Sequence, residues 1–221
     1  MMKKLGLLTI GQSPRDDLIP ALVEILGHEY EIIQAGALDD MTYDEIMNIP
    51  LRKEDYILVS RMRDGREIKI TKKSILPKLQ EKIHEIEKVG VRITVIMCTG
   101  GFPQFESKGL IVTPQEILKG VLKGSLRSGK LGVIYPTKEQ EFMAEKEFGR
   151  EGIEVYPDSV SPYEPYDVSG LIKRLQEKDL DLIFLNCFGF PRKLQDKIKK
   201  ETGKPTILSN ALIARVLKEL Y

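Results

Sequence analysis

The sequence predicts an α/β protein made of two similar halves, each a parallel β-sheet covered by helices. Three observations predict it. Short runs rich in Ile, Val and Leu alternate with longer amphipathic stretches along the whole chain; KLGLLTI at 4–10 is answered by KLGVIYP at 130–136; and VIMCTGGF at 95–102 is answered by FLNCFGFP at 184–191. Strands buried on both faces read as continuous apolar runs, which is the mark of a parallel sheet between helical layers. A chain of 221 residues accommodates two such layered units, each with its own core.

In chain order, the first strand is 5–10, an apolar run closed by Gly11. A helix at 15–26 follows, opened by Ser13 as N-cap with Pro14 at the first helical position, and with Asp16 and Asp17 in its first turn facing the positive end of the helix dipole. A short buried strand is read at 31–34. Residues 56–70 break the alternation: Asp64-Gly65 between two strand-like runs predicts a type I′ β-hairpin inserted into the first half and peripheral to it. Apolar spacing at a period of 3.6 then gives a helix at 75–89, followed by strands at 92–97 and 110–112 and a helix at 115–124. The second half repeats the order with strands at 131–135, 154–156, 182–185 and 206–208 and helices at 138–149, 168–178, 193–201 and 211–221. The halves are therefore 1–124, carrying the hairpin, and 125–221, joined through a short glycine-rich stretch at 120–129, with the C-terminal helix able to pack back on the first half.

Composition excludes several function classes. Lys plus Arg number 34 against 33 Asp plus Glu, a net charge of +1, which leaves no basic footprint for nucleic acid or anionic lipid. The apolar run near the N-terminus ends at Ile10, far short of the roughly 20 residues of a membrane span and too short for a signal-peptide core. A soluble, cytoplasmic protein is expected. Its two cysteines have neither CxxC nor Cys/His metal spacing, and GxxxxGK[ST], GxGxxG after the first strand, HExxH and GxSxG are absent, so no metal and no nucleotide cofactor is expected.

The chemistry is expected at strand ends. In open α/β sheets ligands bind beyond the carboxyl ends of the strands, and Cys98 and Cys187 both fall there, each followed by glycine. Loop amides at Thr99, Gly100 and Gly101, and at Phe188 and Gly189, can approach a ligand closely and favour a thiolate. Gln12, Ser13 and Arg15 lie at the end of the first strand, where a guanidinium and helix N-terminal amides can grip a carboxylate. Ser209 and Asn210 close the last strand and open the last helix, as caps and as further donors. A cleft between the halves, with one cysteine from each, is the expected site. Packing alone also accounts for a buried cysteine.

The segments LTIGQSPRDDLIP, LNCFGF and TILSNALIARVLKEL resemble the AroM family, and through it the aspartate/glutamate/hydantoin racemase superfamily. The resemblance implies two pseudo-symmetric α/β halves, cofactor-independent chemistry, and Cys98 and Cys187 as the pair of thiols that carry a proton from one face of a carbon to the other. A small carboxylate or amino-acid-like ligand is implied, acted on by a racemase, an isomerase or a related decarboxylase. A non-catalytic protein that binds such a carboxylate is the alternative reading. A homo-oligomer is open to either.

Overall fold

The computed structural model describes residues 2–52, 55–163 and 168–221. The chain forms two compact units, Met1–Pro114 with Leu217–Tyr221, and Gln115–Val216.

In the first unit, β1 (Lys3–Thr9), β2 (Tyr30–Gly36), β5 (Ile93–Ile96) and β6 (Leu110–Val112) make one parallel sheet in the order β2-β1-β5-β6. Leu5, Leu7 and Leu8 of the central strand β1 are completely buried, which is why this segment reads as an unbroken apolar run rather than an alternating one. Helices α1 (Ile19–Leu26), α2 (Tyr43–Met47) and α3 (Lys72–Lys88) and the hairpin β3 (Ile57–Arg61) with β4 (Glu67–Thr71) complete the unit. In the second, α4 (Pro114–Ser125), whose first residue belongs to the first unit, leads to β7 (Gly129–Tyr135), α5 (Ala144–Phe148), β8 (Ile153–Ser159), α6 (Val168–Gln176), β9 (Leu182–Leu185), α7 (Arg192–Thr202), β10 (Thr206–Leu208) and α8 (Ser209–Glu219). The sheet order is β10-β9-β7-β8, all parallel. Read from its other edge this is β8-β7-β9-β10, the same order as the first sheet. The two-half α/β architecture is thus as the sequence predicts. Among the described residues no helix is long and apolar enough to cross a membrane.

Four local expectations are corrected. The helix expected at 15–26 starts at Ile19, with Leu18 at its N-cap and no side-chain cap. Pro20 explains this: in a helix begun at Ser13 it would sit in the interior, lacking an N–H for residue 16 and clashing with that carbonyl, at a cost of about 3 kcal/mol. Started at Ile19, the helix has Pro20 in its first turn, where no donor is lost. The hairpin turn is not type I′, because Asp64 keeps a negative φ and only Gly65, at +95°, is left-handed. Gly65 N donates to Met62 O and Met62 N to Arg66 O, the pattern of a three-residue loop with its glycine in a bulge. Nor is the hairpin peripheral. Leu58, Ile68 and Ile70 are in one buried cluster with Leu8, Ile10 and Cys98. The expected helix at 138–149 is divided into a 3₁₀ turn (Lys138–Met143) and α5. Sequence reading also passed over α2, although Thr42 and Glu45 form a reciprocal capping box that T-x-x-E announces.

The repeated KLG motif has a packing reason in both units. A Cβ on Gly6 would lie 2.7 Å from Thr94 Oγ1, and one on Gly132 2.5 Å from Leu180 Cδ1. Leu180 is completely buried, so Gly132→Ala is expected to destabilise by about 1–3 kcal/mol through overpacking. Urea denaturation measures it; an unchanged midpoint would show that Leu180 has room to move.

Candidate functional site

The two cysteines sit in the same turn. Beyond β5, Met97 N donates to Leu8 O at 2.8 Å, and beyond β9, Asn186 N donates to Ile134 O at 2.8 Å. Leu8 and Ile134 are equivalent residues of the KLG repeat, so each central strand receives the next strand's last amide and then releases the chain. The residue so released is Cys98 in one unit and Cys187 in the other. Two residues on, Gly100 N approaches Cys98 Sγ at 3.4 Å and Gly189 N approaches Cys187 Sγ at 3.4 Å. Both side chains are thiols with little exposure, 8% and 7%. An amide N–H pointed at sulfur favours the thiolate over the thiol.

The surroundings of the two turns differ. At Cys98 the hairpin forms one wall: a Cβ on Gly100 would meet Leu58 at 3.3 Å, Cys98 Sγ at 3.6 Å and the Tyr56 ring at 3.8 Å. Lys72, the first residue of α3, donates from Nζ to Gly101 O at 3.1 Å and lies 5.0 Å from the centre of the Tyr56 ring. Its ammonium is a cation beside the Cys98 turn. Thr99 is half-buried in the same loop. At Cys187 the wall is the start of α8. Ser209 Oγ donates to Cys187 O at 2.9 Å, and Asn210 Nδ2 donates to Phe188 O at 2.7 Å and Phe190 O at 2.9 Å. Phe188 is buried and Gly189 packs against Tyr163.

The residues expected to grip a ligand at the end of β1 are instead engaged with the protein's own carboxylates and backbone. Asp39 accepts from Ser13 N at 2.6 Å, Ser13 Oγ at 2.7 Å, Gly36 N at 2.7 Å and Arg63 Nη2 at 3.4 Å. Ser13 is therefore no helix cap, and Arg15 is at no helix N-terminus. Arg15 is buried, gives Nε and Nη2 to the two oxygens of Asp17 at 2.9 and 2.8 Å, and reaches Thr9 Oγ1 with Nη1 at 3.4 Å. Gln12 donates to Leu38 O and Met41 O and accepts from Arg63 N. Burial alone would raise the Asp17 carboxyl, but the Arg15 guanidinium, helped by Arg61, outweighs it and holds Asp17 below its ordinary value. Gln12, Ser13 and Arg15 thus brace the loop between β1 and the hairpin, where Gln12 N also bonds Arg61 O. Among the described residues no group of three or more His, Cys, Asp or Glu is placed to hold a metal.

Sequence reasoning missed Lys72, Tyr56, Tyr163 and Asp39. The two C-x-G turns were the available signal for the tyrosines, since a glycine at a fixed distance from a cysteine in both halves marks a place where another side chain approaches. Nothing in ALDD at 37–40 singles out Asp39.

Two parallel sheets of one order, each delivering a cysteine to the same turn, define a racemase-like α/β fold. Solved structures share it. Unliganded arylmalonate decarboxylase superposes with a TM-score of 0.59 at 12% identity, covering 98% of this chain and 93% of that one. Glutamate racemase from Aquifex pyrophilus gives 0.58 at 16%, covering 99% and 84%, and the maleate isomerase Iso from Pseudomonas putida S16 gives 0.57 at 13%, covering 100% and 92%. At sequence level, no curated protein matches the chain. The chain belongs to the AroM family: the family description "AroM protein" matches it over residues 5–221.

Proposed function

We propose that this AroM protein is a cofactor-independent enzyme that moves a proton at a carbon next to a carboxylate, with Cys98 and Cys187 as acid and base. The observation that carries the reading is the duplicated turn: two cysteines, each at the carboxyl end of an equivalent strand and each with a glycine amide 3.4 Å from its sulfur. Packing alone gives no reason for a thiol and its amide to recur together. The fold is shared with proteins described as racemases, an isomerase and a decarboxylase, whose names agree with proton chemistry on small acids.

In the proposed step one thiolate takes the proton from the carbon and becomes a thiol. The carbon–hydrogen pair moves into the adjoining carboxylate as an enediolate, and the other thiol returns its proton to the opposite face and becomes a thiolate. Nothing is oxidised or reduced, and the reverse reaction restores the starting pair. The carbon acid is much weaker than a thiol, so the enediolate has to be met by donors aimed at its oxygens. The Lys72 ammonium beside the Cys98 turn supplies positive charge on that side.

The burial of both sulfurs favours a second reading, a carboxylate-binding protein whose cysteines only pack. Solvent-deuterium incorporation across a panel of amino acids and small dicarboxylates separates the two. The enzyme labels the carbon beside the carboxylate of at least one compound, and at least one cysteine reacts with iodoacetamide faster than a buried thiol. No label across the panel, with both cysteines inert, would leave the binding protein.

A further inference from the structure

In the first unit Arg15 and Arg61 meet Asp17, and the buried Lys82 meets Asp40 and Glu85. Lys72 is different. Half-buried at the start of α3, its Nζ meets the Gly101 carbonyl at 3.1 Å and the Tyr56 ring at 5.0 Å, with no carboxylate among the described residues at ion-pair distance. An ammonium carries three donors, so one neutral carbonyl leaves two N–H bonds for another acceptor. Folding does not explain its place on the helix either. α3, seventeen residues long, opens on Lys72 and Lys73 with no acidic residue in its first turn, and a cation at the positive end of a helix is destabilising where a carboxylate is stabilising. An anion taken up there reverses that sign. The place is also the Cys98 turn: Gly101 stands three residues beyond the thiol, Gly100 N approaches Sγ at 3.4 Å, and the Tyr56 ring that faces Lys72 lies against Gly100. The ammonium is thus tied to the loop that carries the thiol.

We propose that Lys72 binds the carboxylate of a small acid at the Cys98 turn, namely the carboxylate attached to the carbon that faces the sulfur. The proposal rests on the proposed function in taking this turn as a ligand site, and deepens it by naming the cation that holds the acid. A charge-assisted hydrogen bond of this kind contributes about tenfold or more in affinity. Lys72→Met keeps the length and apolar stem of the side chain and removes the charge, whereas Lys72→Gln keeps a donor for Gly101 O without the charge.

The test applies two alkylating probes of similar size, iodoacetate and iodoacetamide, to the whole protein and reads the label at Cys98 by peptide mass spectrometry. With either probe the Cys98 thiolate displaces iodide from the carbon beside the carbonyl group, so the acidity of the thiol cancels in the ratio of the two rates and only the charge of the probe remains. In folded wild type the iodoacetate-to-iodoacetamide ratio at Cys98 is about tenfold higher than in the urea-unfolded protein. It falls to the unfolded value in Lys72→Met and in Lys72→Gln, and stays high in Lys72→Arg. Lys72→Gln decides the matter if Lys72→Met lowers the thermal midpoint. An equal ratio in wild type and Lys72→Gln overturns the proposal, as does a Cys98 that neither probe labels in the folded protein. Failure of the two-thiol chemistry looks different: the ratio keeps its dependence on Lys72, but no deuterium enters any compound.

Discussion

Cys187→Ala and Cys98→Ala are each expected to lower inversion of the substrate by at least about 10²–10⁴-fold, the usual contribution of a positioned proton-transfer group. Each variant loses the thiol for one face of the carbon, so inversion stops while the surviving thiol still exchanges the proton on its own face. One-sided deuterium uptake without inversion is the distinguishing result, read by chiral chromatography alongside mass spectrometry. The fold should persist, because a thiol-to-methyl change in these turns removes one sulfur and leaves the register bonds Met97–Leu8 and Asn186–Ile134 intact. Full inversion in both variants would make the cysteines structural.

Asp17→Asn is expected to cost about 3 kcal/mol of stability at pH 7, because it leaves the Arg15 guanidinium, 3% exposed, without its carboxylate. The pH dependence has a defined sign. The folded protein holds the Asp17 carboxyl below the ordinary 3.8, so its contribution is full above that value and is lost as pH falls through the lower, folded value. The stability difference between wild type and Asp17→Asn, measured by urea denaturation, therefore narrows below about pH 4. A difference that stays constant down to pH 2 would mean that the Arg15–Asp17 pair is not what titrates.

The fold was legible because both sheets are parallel and buried, so strands such as Leu182–Leu185 read as unbroken apolar runs whatever their neighbours. The duplicated turn was legible for a related reason: cysteine and glycine stand at fixed offsets in MCTGG and NCFGF, and backbone geometry reads such offsets directly. What could not be read was the partner of each polar side chain. Ser13 has the sequence of a cap, but Asp39, distant in the chain, takes both its amide and its hydroxyl. Arg15 has the appearance of an anion clamp, and its anion lies two residues away. Ser209 and Asn210 have the sequence of caps, and their side chains hold carbonyls of the distant cysteine loop. For Ser13, Ser209 and Asn210 the partner lies on another segment, which no window of sequence contains, whereas the partner of Arg15 lies within the window and its burial does not.

The hairpin of the first unit makes the two cysteine turns unlike in what backs them. One thiol turn leans on Leu58 and Tyr56 and on the lysine that follows the hairpin, whereas its twin leans on Ser209 and Asn210. The two turns share their backbone bonds but not the side chains that support them. Substitutions at Leu58 or Tyr56 therefore bear on the Cys98 turn through apolar and ring contacts, a different kind of support from the hydrogen bonds of Ser209 and Asn210 at the Cys187 turn.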